Sequence, residues 1–258
     1  MRASLGICGL MALCASGSAQ ERATFDVVSL KHVGDVQANM IHEGNSSHTD
    51  YRQFRYTPAS VSAKQPLLRF LMEAFGLKDF QIHGPGWLSQ EIYELDARMT
   101  TGTSREIAQQ MLQTALADRL GLVLKREQKE YQVFVLVQIP GSNKLQEIPT
   151  PAPPSFSYRS GMDFMEATPG MPISALLFNL TRAAGRPVLD ETGLKGFYKV
   201  SLHWNAEPVR PEPGQVIQVG TDPALLSALP QIGLKVEPAK RTLDSLVIEK
   251  VNKEPTEN

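Results

Sequence analysis

Two stretches of this chain repeat one order of elements, and such self-similarity constrains the fold more than any single motif does. PLLRFLMEAFG at 66–76 lies over ALLFNLTRAAG at 175–185 without a gap, a shift of 109 residues. Leu67, Leu68, Leu71 and Phe75 in the first stretch, and Leu176, Leu177, Leu180 and Ala184 in the second, fall on one face at helical spacing. Gly76 and Gly185 follow as stop signals, so both stretches are expected to be helices.

Each helix is followed by a short extended run, a Gly-bearing turn and an alternating strand: FQIHGPGWLSQEIYELDAR at 80–98 and RPVLDETGLKGFYKVSLHW at 186–204. Tyr93, Leu95 and Ala97 alternate with polar neighbours, as do Tyr198, Val200 and Leu202, and each stretch reads as a hairpin-like pair. A second helix ending at Gly121 and Gly233 then leads into matching strands, with Val135 over Val247 at a shift of 112. The charged runs KREQKE (125–130) and EPAKRTLD (237–244) have the composition of exposed hairpin tips.

The expected class is therefore α+β, with two similar βαββαββ-type units in tandem, 20–139 and 172–258. Between them, Pro140, Pro149, Pro151, Pro153, Pro154 and Pro169 interrupt regular structure, and 140–171 reads as a Pro-rich linker. NAEPVRPEPGQ at 205–215 reads as a loop inside the second unit.

Residues 1–19 have the layout of a secretory signal peptide: Arg2, an apolar run from Leu5 to Ala15, and small residues up to Ala19. Leu13 before Cys14 and Ile7 before Cys8 disfavour a lipidated product. Both cysteines lie in this leader, so the mature chain has no disulfide, thiolate nucleophile or cysteine-ligated zinc. The expected location is secreted or periplasmic, with no transmembrane segment after cleavage. The charge is nearly balanced, 26 Lys+Arg against 27 Asp+Glu, and no basic stripe points to nucleic acid.

The reactive side chains read as structure before chemistry. Asp190, Thr192, Gly193 and Gly196 fit a turn that uses Asx-type bonding and positive φ. His203, out of phase with Leu202, should face solvent beside Trp204, while Trp87 in GPGW anchors a tight turn. HEGNSSHTD at 42–50 offers His42, Glu43, His48 and Asp50, but its two histidines lack the i, i+4 register of a zinc-protease helix. Neither a nucleophile elbow nor a phosphate loop occurs, and no catalytic residue, metal or cofactor is assigned.

FDVVSLK, the helix with FQIHGPGWL, YELDAR, MLQTALADRLGLVLKRE, RPVLDETGLKGFYKVSLHW, GLKVEP and LVIEKVNKEPTEN together resemble the soil-associated domain-of-unknown-function family of secreted acidobacterial-type proteins. Pro230 departs from the pattern and should shorten the last helix. Each half is also similar in element order to the short N-terminal module of secretins and TonB-dependent receptors. These resemblances imply an envelope context and no mechanism.

The expectation is a non-enzymatic binding protein of the bacterial envelope, taking an envelope protein or peptide by strand addition at 131–137 and 245–251. The alternatives are a hydrolase or metal-assisted enzyme using His42/His48 or Asp190/His203, and a sensory ectodomain working with a membrane peptidase.

Overall fold

The computed structural model describes residues 22–43, 46–142, 144–151, 157–160, 163–204 and 223–256. The leader and the 205–215 loop lie outside the described residues, as do the side chains of His42, Glu43 and His48. The described residues form a mixed α and β structure in which strands predominate. The chain divides into two compact units: Met1–Lys125 with Leu246–Asn258, and Arg126–Ser245.

Unit 1 begins with β1 (Val27–Asp35), a small ribbon of β2 (Met40–Glu43) and β3 (Ser46–Thr49), then β4 (Arg52–Thr57) and β5 (Ser60–Pro66). Helix α1 (Leu67–Phe75), β6 (Ile82–His83), β7 (Glu91–Arg98) and α2 (Arg105–Leu120) follow. The main sheet has the order β1-β7-β5-β4, with Leu95 of β7 opposite Leu30 on one side and Ala63 on the other. Alternation places Tyr93, Leu95 and Ala97 of β7 in the core, with Leu67, Phe70, Leu71 and Ala74 of α1 and Leu112 and Leu116 of α2. Gly76 and Gly121 end the two helices in the left-handed region at φ 65° and 57°, a conformation that glycine adopts without a Cβ clash.

The last residues of the chain complete this unit. The Ser104 hydroxyl caps the start of α2, and the N–H groups of Asn252 and Thr256 donate to the carbonyls of Leu120 and Arg119 in its last turn, both at 2.8 Å. Tyr93 Oη donates to the Lys253 carbonyl at 2.7 Å. The His32 ring lies between two carboxylates, with Nε2 2.7 Å from Glu91 and Nδ1 2.8 Å from Glu254, and Lys253 Nζ is 2.5 Å from the other Glu91 oxygen. Lys253 and His32, both hydrogen-bonded to Glu91, hold its carboxyl below the usual glutamate range.

Strand β8 (Val123–Gln138) leads into unit 2, which contains β9 (Gln146–Ile148), β10 (Ser157–Ser160), β11 (Phe164–Thr168), β12 (Met171–Pro172) and α3 (Ile173–Ala184). Then come β13 (Val188–Asp190), β14 (Phe197–Lys199), β15 (Ser201–His203), α4 (Pro223–Ala228) and β16 (Leu234–Lys250). The strands here are short and form three-stranded pieces, β10-β11-β15 and β12-β14-β9. Ile173, Leu176, Leu180 and Ala183 of α3 pack with Tyr198, Val200 and Leu202. Pro230 acts as expected: α4 stops at Ala228, and a tighter 3₁₀ turn, Leu229–Ile232, carries the chain to Gly233.

Several sequence expectations need correction. The 140–171 segment contains β9, β10 and β11, so it is part of a folded unit. KREQKE and EPAKRTLD are not hairpin tips but the middles of β8 and β16, which run unbroken through them. Neither run contains a glycine or Asn-Gly pair to reverse the chain. Cross-strand pairs instead satisfy their charges, with Lys240 Nζ 2.9 Å from Glu130 and Gln128 bonded to Asp244.

The expected hairpins are absent as well. β6 pairs in parallel with β16, Ile82 opposite Leu246 and His83 opposite Val247, while β13 pairs in parallel with β8, Val188 opposite Phe134 and Leu189 opposite Val135. The turns after β6 and β13 thus pass the chain to different sheets. In the order β13-β8-β16-β6, β8 and β16 are interior, so 131–137 and 245–251 are not free edges.

Candidate functional site

The residues singled out from the sequence fall into separate places. Trp87 sits in the 3₁₀ turn Gly86–Ser89 of unit 1, partly buried against the core, with Lys253 Nζ 5.5 Å from its ring centre. In unit 2, Asp190 Oδ1 accepts from the Thr192 N–H at 2.9 Å and from the Thr192 hydroxyl at 2.7 Å, and that hydroxyl accepts from the Leu194 N–H. Gly193 has φ 73°, and Gly196 gives Glu147 room that a Cβ would take. Arg241 grips Glu191 with two bonds of 2.7 and 2.8 Å and holds its carboxyl below the usual range. Asp190 and Glu191 thus work as turn and anchor, and among the described residues no hydrogen bond joins Asp190 to His203.

Asp50, the member of the 42–50 cluster whose side chain is described, is paired with Lys64 Nζ at 2.6 Å. Residues 40–43 and 46–49 form the β2-β3 ribbon.

His203 and Trp204 do share a site. β15 pairs antiparallel with β11, Met165 opposite Leu202 and Phe164 opposite His203. The Ala167 N–H donates to the Val200 carbonyl at 3.0 Å, and the Trp204 N–H donates to the Asp163 carbonyl at 2.8 Å. Antiparallel alternation therefore turns the main-chain groups of Val200, Leu202 and Trp204 toward β11, and those of Ser201 and His203 outward.

On that outer side the Gln231 carboxamide meets His203 at two points. The His203 N–H donates to Gln231 Oε1 at 3.1 Å, and Gln231 Nε2 donates to the His203 carbonyl. Gln231 is held there by the 3₁₀ turn after α4, whose neighbours Leu229 and Ile232 are buried while Gln231 is exposed.

A cleft of about 510 Å³ opens at this point, lined by Asp163, His203, Trp204, Ser227, Ala228 and Gln231. The Trp204 side chain belongs to the unit's core and is 9% exposed, yet its indole N–H is buried without a hydrogen-bond partner among the described residues. Such a donor costs about 1–3 kcal/mol unless something accepts from it. Across the outer face, Glu166 lies 3.6 Å from His203 Nε2 and 3.3 Å from Arg159, and the Phe164 ring stacks on the imidazole at 6.5 Å. These groups bring charge and an aromatic ring to this face, and among the described residues no nucleophile and base are joined by a hydrogen bond at this cleft.

Gln231 and Asp163 were missed in the sequence because a lone Gln after a proline and a lone Asp before a strand carry no spacing signal.

The fold and this cleft define a two-unit, strand-rich α and β protein with a polar recess beside a sheet edge. The chain belongs to the DUF3738 family of proteins of unknown function, whose model matches residues 69–251. No curated protein and no solved structure matches it.

Proposed function

We propose that this chain is a non-enzymatic binding protein of a secreted or periplasmic compartment, and that the β15 cleft of unit 2 is where its ligand sits. The observation that carries the reading is the polar cleft at the outward edge of β15, where the Gln231 carboxamide bonds the outward N–H and C=O of His203, and where Asp163, Trp204 and Ser227 line the wall. The signal-peptide layout of residues 1–19, and the resemblance to secreted acidobacterial-type proteins, support the compartment. Among the described residues no helix is long and apolar enough to cross a membrane.

The same reading takes the two halves as copies of one βαββαββ-type unit that exchange their last strands. Support comes from the ladders: Ile82 and His83 stand against Leu246 and Val247 as Val188 and Leu189 stand against Phe134 and Val135. Val135 and Val247 are the very residues that the sequence repeat superposes.

The chain has two tryptophans, so Trp87→Phe leaves Trp204 as the sole fluorescent reporter in the cleft. Titrating this variant with fractionated envelope peptides and small polar molecules should give a saturable change in emission, with the ligand recovered unaltered. Stoichiometric zinc in the purified protein together with conversion of an added ligand contradicts the reading, as does the absence of any saturable response.

A further inference from the structure

The Gln231 carboxamide is, chemically, a peptide group. It offers one N–H donor and one C=O acceptor, and it presents both to the outward-facing C=O and N–H of His203. In an antiparallel sheet, a hydrogen-bonded partner residue would make the same two bonds from a neighbouring strand. We propose that the outer edge of β15 is a strand-acceptor site for an extended peptide, and that Gln231 occupies the slot of the incoming main chain until the peptide displaces it. This rests on the binding reading of the same cleft and names its ligand class.

Three observations agree with a peptide. The edge is short and ends at the cleft, so the peptide residue facing His203 is followed directly by a recess lined by Asp163, Trp204 and Ser227. Strand addition draws affinity from main-chain bonds and specificity from pockets for alternate side chains, which is the division of labour this arrangement offers. Gln231 is carried on a one-turn 3₁₀ segment and is exposed, so its side chain can rotate away without moving the buried Leu229 and Ile232 beside it. The side-chain cap also keeps the edge from pairing indiscriminately when no peptide is present.

The test uses the whole protein and a pool of fluorescently labelled, amidated hexapeptides, read by polarisation. Members of the pool are expected to bind, and methylating single backbone nitrogens along a binding peptide should weaken it more than tenfold at one residue, less at residues two away, and hardly at the positions between. Gln231→Ala should tighten binding severalfold because the internal competitor is gone. The methylation series uses the unaltered protein, so it decides the matter even if that variant folds poorly. Binding that ignores backbone methylation at every position overturns the strand-acceptor proposal while leaving a cleft-binding protein in place. The same holds if no hexapeptide binds but Trp204 emission in the Trp87→Phe protein responds saturably to a non-peptide molecule. If neither peptides nor other molecules give a response, both the proposal and the reading beneath it fall.

Discussion

The two units solve one problem, what to do with a sheet edge, in different ways. Unit 1 closes its added strand with a cluster of charge: beyond the Ile82–Leu246 pair, the chain end is fixed by His32, Glu91, Lys253 and Glu254, and by the capped end of α2. Unit 2 anchors its corresponding strand by the Asp190 turn and the Arg241–Glu191 pair, while at β15, against which α4 and the 3₁₀ turn also pack, the outward main-chain groups of His203 bond the Gln231 carboxamide. A many-membered closure is costly to undo, whereas one exposed carboxamide exchanges readily. On the proposed reading, this difference gives unit 1 the supporting role and unit 2 the ligand-facing one.

The comparison can be broken first at the cores. Leu71 of α1 and Leu180 of α3 occupy matching positions in the proposed duplication, and both are fully buried. Alanine at either should cost about 2–5 kcal/mol in denaturant unfolding. A loss at one and none at the other would end the equivalence of the two helices.

A middle-sized effect belongs to the charge cluster of unit 1. Glu91→Gln should lower stability by about 1.5–3 kcal/mol near neutral pH, since two charge-assisted bonds lose their carboxylate. Glu91 has a depressed folded pKa, so its contribution is complete above the ordinary glutamate range and is lost as the pH falls through the folded value. The gap between the native protein and this variant should therefore close in acid, below about pH 4.3. A gap that widens in acid contradicts the cluster's role.

Tyr93→Phe removes one bond to the Lys253 carbonyl and should cost about 0.5–1.5 kcal/mol. Smallest is Arg241→Ala: its pair with Glu191 is more than a third exposed, so the loss in denaturant unfolding should be the least of the series and shrink further with added salt.

Local signals in the sequence were legible where one element decides its own shape. The faces of α1 and α3 read correctly at Leu67, Leu71, Leu176 and Leu180, although Phe70 and Ala74 bury more deeply than Leu68 and Phe75. The glycine caps, the shortening at Pro230 and the turn bonding of Asp190 were readable for the same reason.

What failed was pairing. A two-residue strand such as Ile82–His83 carries no mark of the distant Leu246–Val247 it joins, and the composition of KREQKE on an exposed strand matches that of a turn. His32 and Glu254 stand 222 residues apart, so their contact has no local trace. Of the residues that line the cleft, His203 and Trp204 stand out in the sequence as a pair at the end of an alternating strand, but Gln231, which bonds that strand from outside, does not.

The proposed exchange of last strands is the claim on which the comparison stands, and proline at Val247 or Val135 tests it most directly. Each change places a ring inside an interior strand and removes a ladder donor, which sheets tolerate essentially only at edges and bulges. Read by amide hydrogen exchange, Val247→Pro should expose Ile82–His83 in the first half of the chain, and Val135→Pro should expose β13 in the second. Exposure confined in each case to the half that carries the substitution would contradict the account.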